Sequence, residues 1–101
     1  MPYKLTRQAI ADLDDIWRYS AETWSVAQAD RYTDDLTHTF DMLASIPNLG
    51  RERTEFTPPV RIHAHGEHLI IYTFANETVN IIRILGGRQS WQGILERIDG
   101  N

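Results

Sequence analysis

An α+β fold with a short N-terminal strand, an antiparallel helical hairpin and a three- to four-stranded, mainly antiparallel sheet is predicted by three features of the sequence. Apolar residues recur at spacings of three and four through the first half, the period changes to two after Pro59, and a polar stretch ending in Pro58-Pro59 separates the two regimes. At 101 residues the chain is a single domain, 1–101, with one core and any site on its surface.

Tyr3-Lys4-Leu5 reads as the leading strand. Thr6 is placed to cap a helix whose apolar positions Ile10, Leu13, Trp17, Ala21 and Trp24 form one stripe, expected to be buried. Asp14 and Arg18 stand four apart on its exposed side. Ser25 followed by Gln28 has the spacing of a capping box and starts a second helix with the stripe Ala29, Tyr32, Leu36, Phe40 and Leu43. That helix is expected to stop near Ile46, because Pro47 disfavours a helical residue before it and Asn48-Leu49-Gly50 supplies turn chemistry. So short a link between the helices makes them an antiparallel hairpin.

Arg51 to Pro59 reads as a connecting loop. Val60 to His65, Leu69 to Phe74 and Val79 to Leu85 are β-branched and aromatic runs separated by Gly66-Glu67 and Asn76-Glu77, which predicts consecutive hairpins. Alternation does not decide which face of Ile81 to Ile84 points inward. After Gly86-Gly87, a short C-terminal helix or tail from Ser90 would place Trp91, Ile94 and Leu95 on one side, with Gly93 weakening it.

Composition narrows the function. A chain 42% hydrophobic and 24% charged is globular, not disordered. The absence of cysteine excludes disulfides, thiolate metal sites and a cysteine nucleophile. The longest aliphatic-aromatic run, Leu69 to Tyr72, is far too short to span a membrane, and Met1-Pro2-Tyr3-Lys4 opens no signal-peptide core, so a cytoplasmic protein with no membrane partner is expected. A net charge of −4 opposes phosphate backbones, and no direct nucleic-acid binding is expected. Acid belongs to the first half: residues 1–50 hold eight acidic and four basic side chains, against six of each in 51–101.

The order of these elements, with Asp12-Leu13-Asp14-Asp15-Ile16-Trp17, Ile46-Pro47-Asn48-Leu49-Gly50-Arg51, Val60-Arg61, His68-Leu69-Ile70-Ile71-Tyr72 and Ile82-Arg83-Ile84-Leu85-Gly86-Gly87-Arg88, resembles the ParE/RelE superfamily of toxins, specifically its ParE branch. The resemblance runs from about Tyr3 to Leu95. One departure is that many members carry a histidine just before the Gly-Arg pair, where this chain has Gly86.

Relatives in the RelE branch cut messenger RNA on the ribosome, so a ribosome-dependent endoribonuclease is the alternative function. That chemistry needs a general base, a general acid and a cation for the charge developing on phosphorus. The strand position that looks equivalent to a catalytic arginine of those relatives is Leu69, and Arg88-Gln89-Ser90-Trp91 offers neither histidine nor tyrosine. No catalytic residue is assigned. His63, His65 and His68 form a His-x-His-x-x-His pattern that suits solvated hairpin residues better than a metal site, so neither metal nor cofactor is expected. The aspartates of the helices read as solvated faces, and Gly86-Gly87-Arg88 lacks the Lys-Ser/Thr of a phosphate loop.

The resemblance implies a growth-arresting toxin with two protein partners. A ParD-like antitoxin would fold over the toxin, with Trp17, Trp24, Tyr32 and Phe40 as the candidate anchors wherever they escape the core. DNA gyrase would be the target, trapped in its DNA-cleaved state by preferential binding. Arg61, Arg83, Arg88 and Trp91 are the candidates for that contact, since arginine and tryptophan are common interface anchors. For Arg61 and Arg83 a structural pairing with Glu52 or Glu55 is the competing expectation.

Overall fold

The computed structural model describes residues 3–86. β1 (Tyr3–Leu5) leads into α1 (Arg7–Thr23) and α2 (Val26–Ser45), followed by β2 (Arg51–Arg53), β3 (Val60–His65), β4 (His68–Ala75) and β5 (Thr78–Gly86). The five strands form one sheet in the order β1-β5-β4-β3-β2. β1 runs parallel to β5, and every other pairing is antiparallel. The helical hairpin brings the N-terminal strand beside the last one.

Local chemistry sets the element ends. The Thr6 hydroxyl accepts from the Ala9 N–H at 3.1 Å, capping α1, and donates to the Ile82 carbonyl at 2.7 Å. One side chain therefore starts the helix and ties it to β5. Ser25 caps α2 by accepting from the Gln28 N–H at 3.0 Å, while the Gln28 side chain accepts from Arg31. Asn76 and Glu77 both take positive φ, 53° and 61°, as a two-residue hairpin turn with the right twist requires.

The main core lies between the helices and the sheet, where Leu36, Phe40 and Leu43 of α2 meet Ile70, Tyr72, Val79 and Ile81. A second apolar cluster, Val60, Ile71 and Leu85, is joined by Phe56 from the segment after β2.

The structure corrects two expectations. Arg51–Arg53, expected as part of a connecting loop, is a strand, paired antiparallel with Arg61, Ile62 and Val60 at the edge of the sheet. Its charged side chains suit a sheet edge, which pattern reading takes for a loop. The α1 stripe is also displaced. Ala9 and Ile16 are the buried residues, whereas Ile10 and Trp24 stand in solvent and Trp17 is half-buried. Small Ala9 lets the helix approach the sheet closely, and each residue turns a helix by about 100°, so the bulkier residues one position along come to lie beside the core.

Candidate docking site

The arginines singled out in the strands are committed to internal partners. Arg83 donates to Asp12 twice, Nε to Oδ2 at 2.8 Å and Nη2 to Oδ1 at 3.0 Å, and Asp12 Oδ2 also accepts from the Ile84 N–H at 2.8 Å. β1 pairs with β5 only as far as Ile81, and Asp12 from α1 serves the strand beyond that point. Such a fork-shaped, charge-assisted contact fixes α1 on the sheet edge. It also holds the Arg83 proton more firmly than usual, chiefly through the hydrogen bond to Asp12. Arg83 therefore finds an acid, but on α1, not the Glu52 or Glu55 expected.

Arg61 donates to the Gly50 carbonyl at 2.8 Å, with Glu52 at 3.8 Å. Tyr72 reaches the same loop: its hydroxyl donates to the Pro47 carbonyl at 2.7 Å and accepts from the Gly50 N–H at 2.8 Å. A Cβ at Gly50 would lie 2.5 Å from that hydroxyl, so the glycine is what lets loop and phenol approach. Glu55 is taken by Arg53.

The histidines are distributed along a seam with α2. His65 and His68 face each other across β3 and β4. The Tyr32 hydroxyl sits 2.6 Å from His68 Nδ1, and the Thr39 hydroxyl 3.1 Å from His65 Nδ1. Thr39 Oγ1 already donates to the Asp35 carbonyl, so the His65 ring acts as donor to it. Burial pushes His63 and His68 below the ordinary histidine range. Among the described residues no group of three or more metal-ligating side chains is close enough to hold an ion. A cleft of about 600 Å³ beside this seam is lined by Asp12, Asp15, Ile16, Tyr19, Ser20 and His68, with Ile84 and Gly86 closing it.

The four candidate anchors separate in space. Phe40 is wholly buried, packed edge-on against Tyr3, and is corrected to a core residue: its position on α2 points at the sheet. Tyr32 is half-buried in the histidine seam. Trp17 lies on the flank of α1 with Ile10, Trp24 caps the helix just past its end, and Trp17 spans to the second helix by donating its indole N–H to Asp30 at 2.9 Å. Ile10 is 55% exposed, Trp24 72% and Val26, at the start of α2, 57%. Sequence patterning marks this flank but assigns it to the core. Arg88 and Trp91, like the expected C-terminal helix, lie outside the described residues.

These side chains make a scaffold with an apolar helical flank and arginines used as struts. The model of the family described as ParE toxin of the type II toxin-antitoxin system parDE matches residues 3–91, most of the chain. The chain belongs to the ParE toxin family. Toxin ParE1 of Caulobacter vibrioides is 42% identical over 84 residues, 83% of this chain and 86% of that protein. Toxin ParE1 of Mycobacterium tuberculosis is 34% identical over 87 residues, covering 85% and 89%. A solved structure from the chromosomal ParDE system of P. aeruginosa superposes with a TM-score of 0.72 at 25% identity, over 85% of this chain and 95% of that one.

For a ParE-family chain the struts acquire a meaning: they hold a toxin's surface in shape. Leu69, the position compared with a catalytic arginine, is an aliphatic residue packed against the second apolar cluster. No helix among the described residues is long and apolar enough to cross a membrane.

Proposed function

We propose that this ParE-family chain is neutralised by a ParD-like antitoxin and, when released, inhibits DNA gyrase by protein-protein binding without catalysis of its own. The observation that supports this most is the fate of its polar side chains. Arg61, Arg83, His65 and His68 are engaged by Gly50, Asp12, Thr39 and Tyr32. Among the described residues these four side chains, of the types a ribonuclease would use for proton transfer and charge stabilisation, are thus employed as structural ties, while apolar area is left on the helical flank.

Trp17 and Trp24 are the antitoxin anchors in this reading, with Tyr32 on α2 in the histidine seam. Arg88 and Trp91 carry the target contact, supported by Arg61 and Arg83, which hold the sheet from which that segment leaves. Binding one conformation of gyrase more tightly than the rest stalls its cycle.

Induction of the chain in bacteria tests the proposal. Filamentation with a DNA-damage response, relieved by co-expressing a ribbon-helix-helix antitoxin from the neighbouring gene, is the expected result. Growth arrest with codon-specific messenger cleavage and no DNA damage would replace it with the endoribonuclease.

A further inference from the structure

We infer that the chain's own residues 87–101 fold back across the outer face of the sheet as an amphipathic helix, seating Trp91, Ile94, Leu95 and Ile98 on the apolar cluster there and placing Arg88 in the turn before it. What this says of Arg88 rests on the target half of the proposed function.

The face needs a cover. Ile70, Tyr72, Ile81 and Ile84 belong to the core under the helices, so strand alternation turns Leu69, Ile71 and Leu85 to the opposite side, where Val60, Ile62 and Ile82 join them. Ile71 is 0% exposed and Leu85 1%, although both helices lie on the other face. Among the described residues only Phe56 comes to this cluster from outside the strands. One aromatic side chain buries roughly 150–250 Å², too little to close a face spread over β3, β4 and β5. Phe56 and Gly86, which follows Leu85, each hold a further contact partner.

The sequence after Gly86 has the matching shape. Trp91, Ile94, Leu95 and Ile98 stand at i, i+3, i+4 and i+7, one stripe of a helix, with Gln92, Glu96, Arg97 and Asp99 off it. A helix from Ser90 to Asp99 is about 15 Å long. The face runs from the Ala64–Leu69 pair to Val60, about 13 Å along β3. Gly86-Gly87 supplies the reversal at the strand end. Because the segment is tethered at the rim of the face, its local concentration is of millimolar order, which a second copy or a separate partner would have to outcompete. Seated in this way, Trp91 is a positioning residue and Arg88, ahead of the stripe, is the group that meets the target.

The chain has no cysteine, so introduced cysteines report the seat. In the full chain, Leu69→Cys with Ile94→Cys is expected to be joined by a short bismaleimide at least about tenfold faster than Ile10→Cys with Ile94→Cys, since Ile10 lies in the helical layer. Leu69→Cys alone measures how well the face is closed. Adding Ile94→Glu and Leu95→Glu is expected to speed its maleimide labelling at least about tenfold. Gly93→Ala, on the solvent side of the helix, is expected to slow it about fivefold. Equal linking to Leu69 and Ile10, labelling that neither change alters, or labelling that Gly93→Ala speeds, overturns the inference.

Purified gyrase separates the seat from the target reading. The cross-linked chain is expected to inhibit supercoiling as the free chain does, Trp91→Phe to keep that inhibition, and Arg88→Gln to weaken it at least about tenfold. A free chain that inhibits and a cross-linked chain that does not would overturn the seated form as the one that meets the target. Linking to Leu69 with no effect on gyrase from either form sinks the target assignment and leaves the seat standing.

Discussion

Asp12 does the work of a missing strand. Beyond Ile81 the β1 side of β5 loses its ladder partner, and one carboxylate accepts from the Ile84 N–H while holding Arg83 by two bonds. With both side chains largely shielded, removing the acid leaves a cation and an amide without their partner. Asp12→Ala is expected to cost about 3 kcal/mol, and Arg83→Met less, about 1–2 kcal/mol, because Ile84 keeps its acceptor. Urea unfolding of the two variants checks the order, and equal losses would contradict the role given to Asp12. Tyr72 and Gly50 make a comparable pair. Gly50→Ala drives a methyl into the phenol and is expected to lose about 1–3 kcal/mol, whereas Tyr72→Phe gives up two hydrogen bonds for about 1–2 kcal/mol. Neither contact is legible in the sequence. Asp12 and Arg83 are 71 positions apart, and nothing in their local pattern distinguishes Asp12 from Asp14 or Asp15.

At the scale of elements, both helix caps, the α2 stripe and the three long strands are readable from local chemistry, because caps, turns and alternation act within a few residues. The rotation of α1 is not. Spacing defines a stripe but does not say which of two adjacent stripes the sheet will accept, and Ala9 with Ile16 fits more closely than Ile10 with Trp17. β2 is hidden for the opposite reason, since three charged residues reveal a strand only through β3 beside them. The β4–β5 turn offers a direct check. Glu77 holds φ of 61°, a conformation costly to any residue with a Cβ, so Glu77→Gly is expected to raise stability by about 0.5–1 kcal/mol, measured by thermal or urea unfolding.

The seam between α2 and the β3–β4 hairpin predicts a pH dependence. His63 and His68 lie below their ordinary pKa, first because of burial. For His68 the pull of Glu67 and Asp12 opposes this, and His65 reinforces it. The unfolded chain therefore takes up protons at a higher pH than the folded one. Stability is full above about pH 6.5 and falls as pH drops through the depressed folded values, levelling where both states are protonated. Chemical denaturation between about pH 7.5 and 5.5 should show the decline, and His68→Gln should flatten part of it. A profile rising toward acid would reverse the sign of this account.

The whole molecule is an acidic hairpin laid on a sheet, with arginines as internal struts and apolar side chains displayed along one helical flank. Its fold and family are legible because the order of elements and their local signatures span most of the chain. The partition of the arginines is not, since a strand arginine reads the same whether it braces a loop or faces a partner. In the function proposed, the toxin acts through the shape of its surface and not through a titrating group. Purified gyrase relaxing and supercoiling a plasmid in the presence of increasing toxin tests that most directly. Supercoiling lost in proportion to bound toxin, with cleaved DNA accumulating and activity restored by antitoxin, is the predicted result. Undiminished supercoiling at a large excess of toxin, together with messenger RNA cut on translating ribosomes, would contradict it.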